Sequence, residues 1–274
     1  MHLGTFQQTM WDFYAAHRRD LPWRMPALQP DKQGYLDAYT ITVSEIMLQQ
    51  TQASRVIPKY EVFLDLFPTV YDLAQASLAD VLAAWSGLGY NRRAKYLHEL
   101  AQRVVHEHGG RLPLRVSELV ALPGIGINTA GAIVAYAYSQ PVLFIETNIR
   151  SVYIHEFFPD AEQVDDQQIL PLLEQTIDQH NPREWYWALM DYGSHIKATH
   201  GNPNRRSSGY SRQSPFAGSL RQVRGAVIRQ LAGQRATSQE LASEIADDRL
   251  PRVLADLVRE KLVQSDGHHY FLPQ

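Results

Sequence analysis

A glycine-rich turn between two predicted helices, followed by an isolated acid, is the part of this chain whose residue types best fit a chemical function. The turn reads Leu122-Pro-Gly-Ile-Gly126, and the acid is Glu146. A helix that ends at Pro-Gly and restarts at once is a helix-hairpin-helix, because glycines turn without a Cβ clash and leave N–H groups free at the next helix start. Those groups and the positive end of the helix dipole suit one DNA phosphate. A phosphate held beside a carboxylate indicates chemistry on DNA.

The distribution of charge supports a polyanionic partner, although the formal net charge of −3 does not. Between Asp191 and Glu240 the chain contains no acidic residue. Its basic residues there are Lys197, Arg205, Arg206, Arg212, Arg221, Arg224, Arg229 and Arg235. Such an asymmetry is typical of a nucleic-acid-binding surface. The alternative is a solvated linker with incidental arginines.

Composition excludes several other classes. The chain has no cysteine, so disulfides, zinc thiolates and cysteine-ligated iron–sulfur clusters are impossible. The N-terminal residues lack the pattern of a signal peptide, and no apolar run approaches the roughly 18 residues of a membrane span. His268 and His269 show no metal-ligand spacing, and we expect no metal among the side chains. These features predict a cytoplasmic, nucleoid-associated protein.

Apolar periodicity and capping residues predict an almost entirely helical chain. The expected helices cover residues 6–17, 39–52, 54–67, 69–76, 78–86, 91–108, 117–122, 128–138, 147–157, 165–180 and 182–199. Thr69 with Asp72, and Ser77 with Asp80, have the spacing of capping boxes. Residues 25–37 are expected to form a loop, and no strand is expected before residue 260.

The C-terminal residues predict a separate module. Residues 201–218 are a linker by composition, and helices are expected at 219–232, 238–246 and 250–262. Residues 263–272 then predict a hairpin that turns at Asp266-Gly267. Three short helices and a hairpin indicate a winged helix over 219–274; the alternative is a small helical bundle. We expect it to bind duplex DNA without sequence preference through Arg221, Arg224 and Arg229, or else to bind a protein partner.

With these segments in order, the chain resembles the helix-hairpin-helix DNA glycosylases, and within them the adenine-specific mismatch glycosylases. The resemblance covers roughly residues 6–200. The segments that carry it are Leu21-Pro-Trp-Arg24, Ser44-Glu-Ile-Met-Leu-Gln-Gln-Thr-Gln52, Trp85-Ser-Gly-Leu-Gly-Tyr90, Leu122-Pro-Gly-Ile-Gly126 and Thr129-Ala-Gly-Ala-Ile133. It implies an all-α, two-lobed core over 1–200, with a six-helix lobe at 30–138 that contains the hairpin and a second lobe formed by 1–29 and 139–200.

The resemblance also implies a reaction. Cleavage of a base–sugar bond needs a proton donor at the base and negative charge near the cationic sugar. Glu45 takes the first role and Glu146 the second, although the family has an aspartate at the latter position. Burial beside Leu48 and Trp23 is expected to raise the pKa of Glu45. The alternatives are a solvated helix residue at 45 and an ordinary helix cap at 146.

Further residues follow from the same resemblance. Gln50 and Tyr90 are expected to separate bases around a flipped nucleotide, their alternatives being a surface amide and a core tyrosine. Asn128 stands where bifunctional relatives have a lysine, so the enzyme should lack strong lyase activity. The other expected base-pocket residues are Trp23, Arg24, Leu48, Asn148 and Trp187. The other expected DNA contacts are Gly124, Gly126, Asn128, Lys197, Arg205 and Arg206. No cofactor is expected beyond a monovalent cation at the hairpin carbonyls.

Three departures leave the target base open. The four-cysteine cluster is absent, with Lys197 at its first ligand position, and Trp187 replaces a Gln or Glu. The domain that reads oxidised guanine is expected to be missing, with the predicted winged helix in its place. The leading hypothesis is a monofunctional glycosylase for adenine opposite guanine or 8-oxoguanine in double-stranded DNA. The alternatives are a glycosylase for thymine, uracil or another damaged base, and a DNA-binding relative without catalysis.

Overall fold

Helices form nearly all of the regular structure in the computed structural model, which describes residues 1–24 and 31–274. The helices are α1 Leu3–His17, α2 Ala38–Leu48, α3 Ala53–Leu66, α4 Val70–Gln75, α5 Leu78–Ala84, α6 Arg92–His108, α7 Val116–Leu119, α8 Ile127–Tyr138, α9 Thr147–Phe157, α10 Asp166–Thr176, α11 Pro182–Thr199, α12 Leu220–Leu231, α13 Ser238–Ile245 and α14 Leu250–Arg259. Short 3-10 turns cover Pro22–Arg24 and Pro203–Arg206. The all-α prediction is therefore confirmed.

Local signals explain where several helices begin. Thr69 and Asp72 form the expected capping box at α4, and Asp165 forms another at α10. The Ser77 hydroxyl accepts a hydrogen bond from the Asp80 amide at the start of α5. Each side chain satisfies a backbone N–H that the first turn of a helix would otherwise leave unpaired.

The chain divides into two packed units. Unit 1 comprises Met1–Ile41, Leu114–Val120 and Ile125–Arg212. In it, α11 packs against α1, α8 and α9. Phe6 on α1 lies in the core of this unit, with ring centroids 5.3 Å from Tyr153 and 6.0 Å from Trp185.

Unit 2 comprises Thr42–Pro113, Ala121–Gly124 and Gln213–Gln274. Helix α6 packs against α4 and α5, and its apolar stripe includes Ala94, Leu97, Leu100 and Val104. The C-terminal residues belong to this unit, with α12 in contact with α5. The C-terminal module is thus packed on the preceding helices of the unit.

The C-terminal module contains a small antiparallel sheet. Its strands are β1 Ala236–Thr237, β2 Gln264–Ser265 and β3 His269–Phe271, in the order β1-β3-β2. The expected hairpin is present, with Gly267 in the left-handed region at its turn. The expectation that no strand precedes residue 260 is wrong, because β1 pairs with β3 through Ala236–Tyr270 and Thr237–His269. Helix, strand, two helices and a hairpin is the element order of a winged helix.

The units differ from the predicted domains. Helix α8 belongs to unit 1 and not to a lobe over 30–138, and residues 213–274 belong to unit 2. Residues 203–206 of the expected linker form a 3-10 turn with Asn204 buried. The boundary expected at residues 29–30 lies outside the described residues. Within the residues that are described, no helix has the length and apolar character needed to cross a membrane.

Candidate active site

Glu45 lies on α2, whose residues 42–47 are all buried in unit 2. Glu45 is only 9% exposed to solvent. The interpretation of Glu45 as a solvated helix residue is therefore wrong. The expected rise in the pKa of Glu45 stays a prediction, and burial is the condition under which a carboxyl can serve as a proton donor.

Arg93 fixes the end of the helix that carries Glu45. Its guanidinium donates hydrogen bonds to the carbonyls of Ile46, Met47 and Gln49 at 2.8, 2.9 and 2.6 Å. The same group reaches the carbonyl of Gly89 at 3.1 Å. Burial lowers the pKa of Arg93 to about 10, which leaves it charged at neutral pH. One buried cation thus joins the α2 terminus to the turn before α6.

Arg93 is not among the residues predicted from the sequence, although one signal points to it. Arg93 falls on the apolar stripe of α6, four residues before Leu97 and in line with Leu100 and Val104. A charged residue at a core position of an amphipathic helix is buried only if it is fully hydrogen-bonded. Its position therefore indicated a structural cation.

Glu146 occupies the N-cap position of α9, but its side chain does not cap the helix. Capping would have required the carboxylate to accept hydrogen bonds from the first-turn amides. The interpretation of Glu146 as an ordinary helix cap is therefore wrong. The Glu146 carboxylate instead interacts with the charges of Lys197 and Arg150 in unit 1.

The electrostatics around Glu146 involve two cations. Burial raises the pKa of Glu146 to about 7, and the charges of Lys197 and Arg150 act in the opposite direction. Burial lowers the pKa of Lys197 to about 8, and the charge of Glu146 acts against that decrease. A carboxyl whose pKa is raised toward neutral pH by burial, while a nearby lysine favours its ionised form, is typical of a functional site.

Asn148 connects the lysine to α9. The Lys197 ammonium on α11 donates a hydrogen bond to Asn148 Oδ1 at 2.8 Å. This arrangement depends on Gly193, where an added Cβ would overlap the Asn148 carbonyl oxygen. Glycine therefore allows α11 to approach α9 closely enough for Lys197 to reach the site.

The segment before Glu146 is held by the hairpin helix α8. The Ile145 amide donates a hydrogen bond to Asn128 Oδ1 at 3.3 Å. A Cβ on Gly131 would lie 2.7 Å from the Cβ of Phe144, so the two backbones approach closely. Asn128 and Gly131 thus position the chain that leads to the acid.

Of the two hairpin glycines, Gly124 has the backbone that requires glycine, whereas Gly126 has an ordinary extended backbone with open space around it. Gly124 has φ +76°, and an added Cβ would lie 2.8 Å from the Tyr96 Cβ, so no other residue fits without movement. Gly126 is the N-cap of α8 and supplies no side-chain cap. Helix starts of this kind commonly bind anions, and phosphate binding at the start of α8 stays a prediction.

Two of the expected base-pocket residues form a buried cluster in unit 1. The Arg24 guanidinium donates to both carboxylate oxygens of Asp191 at 2.9 Å and lies 5.4 Å from the Trp187 ring centre. Trp187 also stacks on Tyr136 at 6.0 Å. Trp23 is buried in the adjoining 3-10 turn, whereas Leu48 is half-buried at the end of α2 in unit 2. Their roles toward a base stay predictions.

Gln50 and Tyr90 lie in unit 2 and share an unusual backbone. Both have positive φ, 56° for Gln50 and 50° for Tyr90. Residues other than glycine adopt this conformation at a steric cost. Among the described residues, Ser139, Ala246 and Lys261 share it, and the first two of these end helices. Gln50 is exposed and Tyr90 half-buried, so Tyr90 is not a core tyrosine.

The structure corrects part of the expected DNA-contacting set. The Arg206 guanidinium donates to the carbonyls of Ile154, Phe158, Pro159 and Ala161, so its role is structural. Arg224 is paired with Glu260, and Arg235 lies 4.1 Å from the Phe271 ring centre. Lys197 is directed at Asn148. Among the described residues of the basic stretch, the exposed arginines are Arg205, Arg212, Arg229 and Arg235.

Comparison with known proteins agrees with this fold. The family model for the HhH-GPD superfamily of base excision DNA repair proteins matches residues 43–177. A solved structure of a thermostable thymine-DNA glycosylase superposes with a TM-score of 0.63 at 25% identity, covering 74% of this chain and 91% of that one. An endonuclease III–DNA complex gives a TM-score of 0.58 at 17% identity, covering 73% of this chain and 89% of the other, which supports the fold alone. The chain is therefore a helix-hairpin-helix protein of the base excision DNA repair class.

Similar sequences narrow the family. The adenine DNA glycosylase of Mycolicibacterium smegmatis is 35% identical over 233 residues, which cover 79% of this chain and 76% of that protein. The chain belongs to the adenine DNA glycosylase family. The proteins of that name from Homo sapiens and Mycobacterium tuberculosis are 37% and 42% identical over 70% and 55% of this chain. This chain spans only 36% and 46% of their lengths.

Proposed function

We propose that this protein is a monofunctional DNA glycosylase of base excision repair that removes a flipped adenine mispaired with guanine or 8-oxoguanine. The observation that carries the proposal is Glu146, a carboxylate at a helix start that does not cap the helix and is flanked by Lys197. A developing sugar cation favours the ionised form of such a carboxyl. The names of the relatives support adenine as the target.

Glu45 supplies the proton in this reaction. A purine leaves a sugar readily only when one of its ring nitrogens is protonated, and a buried carboxylic acid is suited to donate that proton. After the bond breaks, the same carboxylate can accept a proton from the attacking water. Between these two steps Glu146 stabilises the cationic sugar, as one carboxylate of a pair does in sugar hydrolysis.

The absence of a lysine at position 128 supports release of the base without strand cleavage. Asn128 cannot form a Schiff base with the sugar, and its amide oxygen accepts a hydrogen bond from Ile145. A cation at the hairpin stays a prediction, and one carbonyl there, that of Ala121, already accepts a hydrogen bond from Arg103 at 2.8 Å.

The direct test uses duplexes with a single mispair, followed by alkali to cut at abasic sites. Adenine opposite guanine or 8-oxoguanine should give a strand break after alkali and little without it. The E45Q variant should lower the rate by about 100-fold or more. E61Q removes an exposed acid of α3 in the same unit and should behave as wild type. Base release by E45Q at the wild-type rate would overturn the proposal.

A second candidate is release of thymine opposite guanine. It is motivated by the structural likeness to a thymine-DNA glycosylase and by Trp187 at a position expected to face the base. Mass analysis of the freed base separates the two candidates. Free thymine from a thymine–guanine duplex, with no adenine from the adenine duplexes, would favour the second.

A further inference from the structure

The two residues expected to enter the duplex, Gln50 and Tyr90, are contacted by the C-terminal module. The Arg221 guanidinium on α12 donates a hydrogen bond to the Tyr90 hydroxyl at 2.5 Å, and its carbon lies 5.2 Å from the ring centre. A charged donor and a cation over the ring both favour one ring position.

Gln213, which precedes the module and belongs to the same unit, contacts both residues. Its side-chain amide donates to the Tyr90 hydroxyl and to Gln50 Oε1, the latter at 3.3 Å. Arg221 is itself oriented by the Ser214 carbonyl, to which it donates at 2.5 Å. Side chains from residues 213–221 thus restrict a tyrosine and a glutamine that both have strained backbones.

The module is anchored beside this contact by Glu260. Its carboxylate pairs with Arg92 at 2.5 Å and with Arg224, and its carbonyl accepts a hydrogen bond from Lys95 at 2.8 Å. The two arginines lower the pKa of Glu260 to about 2. The Ala79 amide also donates to the Pro273 carbonyl at 2.9 Å. Arg92 follows Tyr90 by two residues, so the anchor lies close to the turn that carries the tyrosine.

An open surface remains next to the contact. A cavity of about 290 Å³ is lined by Tyr90, Gln50 and Arg221 together with the basic side chains of Arg55 and Arg229. Arg221 therefore restricts the tyrosine without enclosing it.

We propose that Arg221 is a positioning residue for base flipping: Arg221 of the C-terminal module, together with Gln213 just before it, holds Tyr90 and Gln50 in the orientation in which they fill the gap left by a flipped base. The inference rests on the proposed function for the nature of the substrate. It assigns the module a part in the reaction other than general attraction to DNA.

The experiment compares R221M with R252M. Arg252 is an exposed arginine of the same module whose side chain is 76% accessible, so R252M controls for loss of charge. Base unstacking is followed with 2-aminopurine placed next to the mispair, in an E45Q background that leaves the target base attached. Base release in a single turnover is followed with Glu45 intact, and thermal unfolding checks that the variants fold.

R221M should lose most of the fluorescence gain on binding and should slow base release about 10- to 100-fold, with an unfolding temperature like that of the wild type. R252M should match the wild type in all three, and R221K should recover part of the fluorescence gain. Equal fluorescence in R221M and wild type, or no gain in the wild type, would overturn the inference. A normal gain that depends on Arg221, without any base release by the wild type, would sink only the proposed function.

Discussion

Replacing Lys197 with methionine should move the acidic limb of the pH–rate profile for base release to higher pH. Glu146 must be ionised to stabilise a sugar cation, and its pKa of about 7 already includes a lowering by Lys197. Activity that depends on ionised Glu146 is present above that pKa and is lost as the pH falls through it. Without the lysine charge, the loss should therefore begin at a higher pH.

The magnitude follows from the size of such charge effects. An opposite charge within a few ångströms lowers a carboxyl pKa by about 1–3 units, and the indirect geometry through Asn148 suggests about 1–2 units. At pH 7 the ionised fraction of Glu146 would fall from about one half to between one tenth and one hundredth. Base release at pH 7 should slow about 5- to 50-fold, and the rates should converge within about twofold near pH 9.

Single-turnover base release from a mispaired duplex, measured from pH 5.5 to pH 9.5, tests this reasoning. K197R keeps the charge and should retain the wild-type profile. N148A removes the hydrogen bond at Lys197 but keeps the charge, so its limb should move less than that of K197M. K32M removes an exposed lysine of unit 1 and should change nothing. If K197M lowered the rate of base release by the same factor at every pH, the electrostatic role of Lys197 would be refuted.

Three other substitutions test the structure. G193A should destabilise the protein by about 1–3 kcal/mol in urea unfolding, because its Cβ would meet the Asn148 carbonyl, whereas G4A, with open space around it, should not. R93M should cost at least about 3 kcal/mol, since buried carbonyls lose their donor, and the neighbouring R92M should cost less. Glu260 should make the wild type lose at most about 2–3 kcal/mol of stability as the pH falls from about 4.5 to about 2. The E260Q variant should not show this loss. Equal slopes for the two proteins over that interval would contradict the ion-pair argument.

Much of the secondary structure follows from local sequence. Helices at 147–157 and 182–199 were predicted with the boundaries that the structure has, because apolar periodicity and terminal residues act within a few positions. Strand β1 was missed because two residues carry no periodicity and become a strand only by pairing with β3. The bounds of the two packed units also differ from those of the predicted domains, because long-range packing decides which helices share a unit.

The candidate site divides in the same way. The sequence determined by itself the helices, the hairpin and the identity of the acids at 45 and 146, because these depend on neighbouring residues and on a recognisable order of segments. Only the tertiary structure decided that Glu146 leaves its helix uncapped, that Lys197 meets Asn148, and that Arg221 reaches Tyr90 from a distant part of the chain. Such contacts join residues that have no fixed spacing in sequence, and packing alone brings them within hydrogen-bond distance.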